Sequence, residues 1–167
     1  INYMVYICSI NLSVMKQTAI VYARASTLEQ DTDAQLNESI NYCKSHDFEI
    51  IHEPFVEKVS GIVPGTEREQ MNSLLEFIEN HKVDNLVVYE LSRLGRTIKN
   101  IHDIFNELTE KKINLHCKKD SIVTLDEKGN KSMTGTVMVM LLSVFSEFEH
   151  KSIIERTTNG KRYNAIQ

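Results

Sequence analysis

Short β-branched apolar runs alternate with segments of helical period along most of this chain, and no other feature limits its fold as tightly. Residues 18–22 (T-A-I-V-Y) read as a strand, followed by polar residues and a helical pattern carrying Leu36, Ile40 and Cys43. The alternation continues with a strand over 48–56, a helix over 67–81, a strand over 85–89, a helix over 97–112 and a short strand over 114–117. Residues 57–65 and 118–132, with the remaining glycines and charges, read as loops. Strands separated by helices build βαβ units, so the expected fold class is α/β, a mostly parallel central sheet flanked by helices. In an open sheet of this kind the chemistry belongs at the carboxyl ends of the strands.

The pattern changes after Gly135. Val137, Met138, Val139, Met140, Leu141, Leu142, Val144, Phe145 and Phe148 leave little room for a polar stripe, and a helix apolar on most faces must be buried on most faces. The helical pattern runs on to Tyr163 through charges that include Lys151, Arg156, Lys161 and Arg162. A helix over 133–163 is about 45 Å long at 1.5 Å per residue, too long for a domain this small to cover fully. Either it is a core helix with a solvated end, or its apolar half packs against a second subunit while its basic half projects toward a phosphate backbone.

With 167 residues, 41% of them hydrophobic, the chain is long enough for one buried core. Six glycines and two prolines favour long ordered segments over a loop-rich sandwich. The formal charge of -4 does not drive the chain onto a polyanion, so any phosphate chemistry must come from local clusters. Cys8, Cys43 and Cys117 form neither a disulfide framework nor a metal pattern and suit a reducing cytoplasm. Residues 1–14 are apolar, too short to span a bilayer and unlike a secretory signal. They read as a leader of uncertain status or an added edge strand, ahead of an α/β core over 15–132 and a long helix over 133–167.

The first strand leads into Tyr22-Ala23-Arg24-Ala25-Ser26-Thr27, and period-2 geometry sets Tyr22, Arg24 and Ser26 on one side of the chain. A plainer reading makes Ser26 or Thr27 a helix cap and Arg24 half of a surface ion pair. After the third strand, Arg93 and Arg96 stand at i, i+3 as the chain enters a helix and so point the same way. Arginines at the amino end of a helix oppose its dipole unless an anion is bound there; the alternative is two exposed arginines paired with Glu90 or Asp103. In a parallel sheet both segments lie on one carboxyl edge. No histidine-carboxylate partner or G-x-S-x-G elbow accompanies the serine. His46, His52, His81, His102, His116 and His150 are scattered, and neither a metal-ligand cluster nor a glycine-rich phosphate loop is present. Serine with arginines suits phosphoryl transfer better than acyl transfer, because guanidinium forks bind phosphate oxygens and neutralise charge on a pentacoordinate phosphorus.

Taken in order, these residues resemble the serine site-specific recombinases of the resolvase/invertase type. The resemblance covers residues 16–162 and rests on Tyr22-Ala23-Arg24-Ala25-Ser26, Val59-Ser60-Gly61, Glu67-Arg68-Glu69, Ser92-Arg93-Leu94-Gly95-Arg96 and Ile154-Glu155-Arg156-Thr157. It implies a resolvase-like catalytic domain whose long C-terminal helix serves dimerisation and DNA contact. Carried over residue by residue, it implies that Ser26 attacks a DNA phosphodiester, becomes linked to the 5′ phosphate and releases a 3′ hydroxyl. Arg24, Arg68, Arg93 and Arg96 become the phosphate-binding and transition-state-stabilising set, with Gln30, Gln35 and Ser92 in support. Lys58, Arg156, Lys161 and Arg162 are the expected DNA-binding cations. The implied partners are double-stranded DNA and further copies of the chain, as a homodimer that pairs into a synaptic tetramer and rotates one pair of subunits before rejoining the strands. One phosphodiester is exchanged for another, so no metal, ATP or other cofactor is implied. Met133, Met138 and Met140 fall in the implied dimer and rotation interface, and residues 155–162 in an arm along the minor groove.

Two departures from the family pattern matter. Many relatives carry an aspartate where this chain has Ser92, so any part that carboxylate plays in orienting an arginine or relaying a proton must be filled otherwise. The sequence also stops at Gln167 without the C-terminal DNA-binding domain that family members usually append, in keeping with its acidic charge. The expected setting is the cytoplasm of a bacterium, with no membrane partner. The rival expectations are a recombinase-derived regulatory or oligomerisation module without chemistry, and an α/β module that holds a small phosphate ligand.

Overall fold

The computed structural model describes residues 16–25, 29–58, 68–95, 97–126 and 128–164. The leader over 1–14 lies outside them. The elements are β1 (Thr18–Ala25), α1 (Glu29–Ser45), β2 (Glu49–Ile50), β3 (Phe55–Lys58), α2 (Glu69–Asn80), β4 (Asn85–Val88), a 3-10 turn (Leu91–Arg93), α3 (Ile98–Glu110), β5 (Asn114–Cys117), β6 (Ile122–Val123) and α4 (Met133–Asn164). The strands form one sheet in the order β2-β1-β4-β5-β6, with β3 also pairing β1. Every pair is parallel except β5 with β6. The α/β, mostly parallel sheet expected from the alternation is therefore the observed fold.

The pleat of β1 explains the layers. A central strand covered on both faces must be apolar at successive positions, and Ala19, Ile20, Val21 and Tyr22 are all fully buried. Ile20 and Tyr22 join the larger core with Leu74 of α2, Ile101, Phe105 and Leu108 of α3, and Val139 of α4. Ala19 and Val21 turn to the other face, where Leu36 and Cys43 of α1 cover them with Val87 of β4. One helix thus lies on one face, and three contribute to the other.

Two expectations need correction. The strand expected over 48–56 is two pieces, β2 and β3, both alongside β1. The break falls at exposed His52 and Glu53 and at Pro54, which has no N–H to give a ladder. The stretch 118–132 is not all loop: β6 folds back antiparallel on β5, with Cys117 opposite Ile122, and Leu125 bridges Lys131. A strand of two residues carries no readable period.

The helix expected over 133–163 is α4, 32 residues long and about 48 Å from end to end. Ser132 Oγ accepts the Gly135 N–H at 3.1 Å and caps its start. Farther along, Glu147 Oε2 accepts the Ile98 N–H at 3.1 Å, tying α4 to the amino end of α3. Within one chain this helix is not buried on most faces: Val139 and Ser143 are, but Phe145 and Phe148 are 61% and 64% exposed, alongside exposed Val137, Met140 and Leu141. No helix among the described residues is long and apolar enough to cross a membrane.

Candidate active site

Because β1, β3 and β4 run parallel, their carboxyl ends share one edge of the sheet, and Arg24 stands opposite Glu57 across the β1-β3 ladder. Both are buried, as is Arg68 just before α2. Arg24 Nη2 donates to the Ser92 carbonyl at 3.3 Å, and Arg68 Nη1 to the Leu94 carbonyl at 2.7 Å. Carbonyls at the end of a helical turn lack partners of their own, so the 3-10 turn after β4 supplies acceptors for two guanidiniums arriving from other elements. Glu57 Oε2 accepts the Gln70 and Met71 N–H groups at 3.1 and 3.3 Å, capping α2 with a buried carboxylate. Tyr22 lies beside these charges. Burial pushes its phenol up to about 12, against the pull of the Arg68 charge, so it remains neutral at ordinary pH.

The third arginine is held differently. Arg93 Nη2 meets Glu90 Oε1 at 3.0 Å, with both side chains largely covered. The same oxygen accepts the Ser92 hydroxyl at 2.7 Å, and Oε2 accepts Lys119 Nζ at 2.6 Å. Burial penalises the Glu90 carboxylate, but the hydrogen bonds from Lys119 and Ser92 and the Arg93 charge outweigh it and hold the carboxyl below its usual range. The turn itself is pinned by Asp120 Oδ2, which accepts the Leu91 N–H at 2.8 Å. Arg93 Nε is buried and has no hydrogen-bond partner among the described residues.

The structure therefore gathers Arg24, Arg68, Arg93 and Ser92 around one turn. Arg24 is buried and not on the surface, where its plainer role would put it. Arg93 is paired with Glu90, yet it is not exposed, and it ends a 3-10 turn rather than opening α3. The expected i, i+3 relation to Arg96 falls on a residue outside the described ones. Ser26 and Arg96 lie outside the described residues, as do the side chains of Gln30, Lys58, Lys161 and Arg162. Gln35 is half-buried in α1, with its carbonyl accepting the Ser39 hydroxyl at 3.0 Å, and it joins none of the arginines among the described residues. Arg156 is exposed on α4. Sequence reasoning missed Glu57, Lys119 and Asp120, and treated Glu90 only as the partner of an exposed arginine. The available signal was their place at the carboxyl ends of parallel strands, and for Glu57 an acid directly after the apolar Phe55-Val56 pair. Among the described residues no group of three or more His, Cys, Asp or Glu side chains is placed to hold a metal ion.

The sequence profile described as "Resolvase, N terminal domain" matches residues 19–167. The chain is 34% identical over 140 residues to serine recombinase PinR of Escherichia coli, an alignment covering 83% of this chain and 66% of PinR. It is 32% identical over 141 residues to the DNA-invertase Hin of Salmonella typhimurium, covering 84% of this chain and 65% of Hin. The chain thus spans just under two thirds of the length of these relatives. Among solved structures, the N-terminal catalytic domain of TP901-1 integrase superposes with a TM-score of 0.62 at 26% identity, over 81% of this chain and 98% of that one.

Proposed function

This chain belongs to the resolvase N-terminal domain family, and from that premise we propose that it is the catalytic part of a site-specific DNA recombinase that cuts and rejoins strands by transesterification. The observation that carries this reading is the convergence of three guanidiniums on one turn at the carboxyl edge of the sheet, directly beyond the strand that Ser26 follows in sequence. Ser26 Oγ attacks the phosphorus of a DNA phosphodiester, and the bond to the 3′ oxygen breaks. A 5′-phosphoserine ester and a free 3′ hydroxyl result. Arg24, Arg68, Arg93 and Arg96 take up the charge that grows on the non-bridging oxygens, where donors set in advance stabilise a pentacoordinate phosphorus most. Arg93 Nε, a buried donor without an acceptor among the described residues, supports this role. Attack by a 3′ hydroxyl on the phosphoserine reverses the step, so bond energy is conserved and neither ATP nor a metal is consumed. Gln30, Gln35 and Ser92 support the site.

Residues 15–132 form the catalytic core in this reading, and 133–167 an arm. The exposed apolar face of α4 packs against a second copy, two dimers join in the synapse, and Lys58, Arg156, Lys161 and Arg162 meet the DNA backbone. The setting is the bacterial cytoplasm.

The test joins the full chain to a DNA-binding module of known site, places two such sites about a central crossover, and looks in EDTA for a denaturation-resistant protein-DNA band. Wild type forms the adduct at a 5′ phosphate and Ser26→Ala does not. An adduct that persists in Ser26→Ala, or one that appears only with Mg²⁺, overturns the reading. Site binding without any adduct favours the recombinase-derived regulatory module.

A further inference from the structure

We propose that Glu90 is the positioning residue for Arg93, supplying from two residues upstream the carboxylate that Ser92 cannot. The proposal rests on the reading of this site as a phosphodiester-cleaving centre. The three arginines gathered at the turn are held in two ways. Arg24 and Arg68 reach main-chain carbonyls of the turn, acceptors that exist whatever the side chains are. Arg93 belongs to the turn itself, and its acceptor among the described residues is a side chain, Glu90 Oε1 at 3.0 Å. The direction of the Arg93 fork is thus set by one carboxylate.

That carboxylate is itself held at both ends. Lys119 Nζ fixes Oε2 at 2.6 Å, and the Ser92 hydroxyl donates to Oε1 at 2.7 Å. Ser92 is neutral and spends its proton on Glu90, so it orients the carboxylate without carrying charge for Arg93. Glu90 is 17% exposed and Arg93 14%, so the pair is screened far less than a surface pair. The contact uses Nη2 alone and leaves Nε, a buried donor without a partner among the described residues, unengaged by Glu90. Glu90 therefore holds the guanidinium without occupying all of it, as a group that aims an arginine at a third party must.

The experiment compares wild type, Glu90→Gln and Glu90→Gln/Ser92→Asp, each as the full chain joined to the same DNA-binding module on the same crossover DNA. Single-turnover adduct formation, site affinity and thermal midpoint are measured together with the guanidinium NMR signals of Arg93. Glu90→Gln keeps shape and loses charge. It is expected to slow adduct formation about ten- to a hundredfold, the range for a lost charge-assisted hydrogen bond, with site affinity unchanged and the Arg93 Nη signals averaged by rotation. Ser92→Asp places a carboxylate where the Ser92 hydroxyl now lies against Glu90 Oε1, and is expected to recover most of the rate and the ordered Arg93 signals. A rate that is unchanged or faster in Glu90→Gln overturns the proposal, as does a loss that tracks the thermal midpoint and is not rescued. If wild type itself traps no adduct, the functional reading fails and the NMR arm decides alone: Arg93 signals unchanged by Glu90→Gln overturn the inference.

Discussion

His116 is the clearest case of one residue tuned by its surroundings. It lies on β5 beneath α1, where the Tyr42 hydroxyl sits 3.1 Å from Nδ1 and Asn85 Oδ1 2.9 Å from Nε2. A neutral ring satisfies both contacts by accepting from the tyrosine and donating to the amide. Burial, with a smaller contribution from His46, pushes its pKa down to about 4 from the ordinary 6.5. The unfolded chain therefore takes up this proton first as pH falls. The stabilisation is complete above about pH 6.5 and is lost toward pH 4, by up to about 3 kcal/mol. Urea midpoints at pH 7 and 4.5 should fall more steeply for wild type than for His116→Gln; parallel losses would contradict the assignment. The residue scale is also where sequence reasoning divided most sharply. Arg24 and Arg93 were legible because motif and strand end coincide, whereas Glu57 and Glu90 matter through what the fold places beside them.

At the scale of elements, the seating of α4 on β6 depends on one glycine. A Cβ on Gly135 would overlap the Val123 carbonyl oxygen and stand 3.1 Å from Thr124 Cα, both backbone atoms that cannot step aside cheaply. Gly135→Ala should therefore lift the helix from the hairpin at a cost of about 2–3 kcal/mol, within the range of overpacking. Chemical denaturation measures it, and a variant as stable as wild type would show that the approach relaxes freely. The cap supports the same geometry, since Ser132 Oγ holds the Gly135 N–H. Helix α3 was the most legible element, because Ile101, Ile104, Phe105 and Leu108 repeat at helical spacing and Thr97 caps it through the Asn100 N–H at 3.1 Å. Strands β2, β3 and β6 were least legible, being too short for periodicity to outweigh Pro54 or the turn after β5.

For the molecule as a whole, the open question set by the sequence was what covers an apolar helix of this length. Within one chain the answer is only part of one face. Val139 enters the core while Leu141, Phe145 and Phe148 stay more than half exposed, an apolar surface of the kind the proposed dimer would cover. Leu141→Asp and Phe145→Asp should each shift the sedimenting species from dimer to monomer while leaving the far-UV spectrum intact. An unchanged mass in both would remove α4 from the interface.

The sequence by itself determined the alternation of the longer strands and helices, the α/β class and the long final helix, because periodicity is a local property that needs no partner. It also named the arginines, because a motif needs only spacing. Which groups meet those arginines was decided by tertiary structure. Parallel pairing brings the ends of β1, β3, β4 and β5 to one edge, so that carbonyls of residues 92 and 94 accept Arg24 and Arg68 while Lys119 reaches Glu90. Contacts between residues 26 and 68 positions apart depend on how the sheet closes, and no local pattern carries that information.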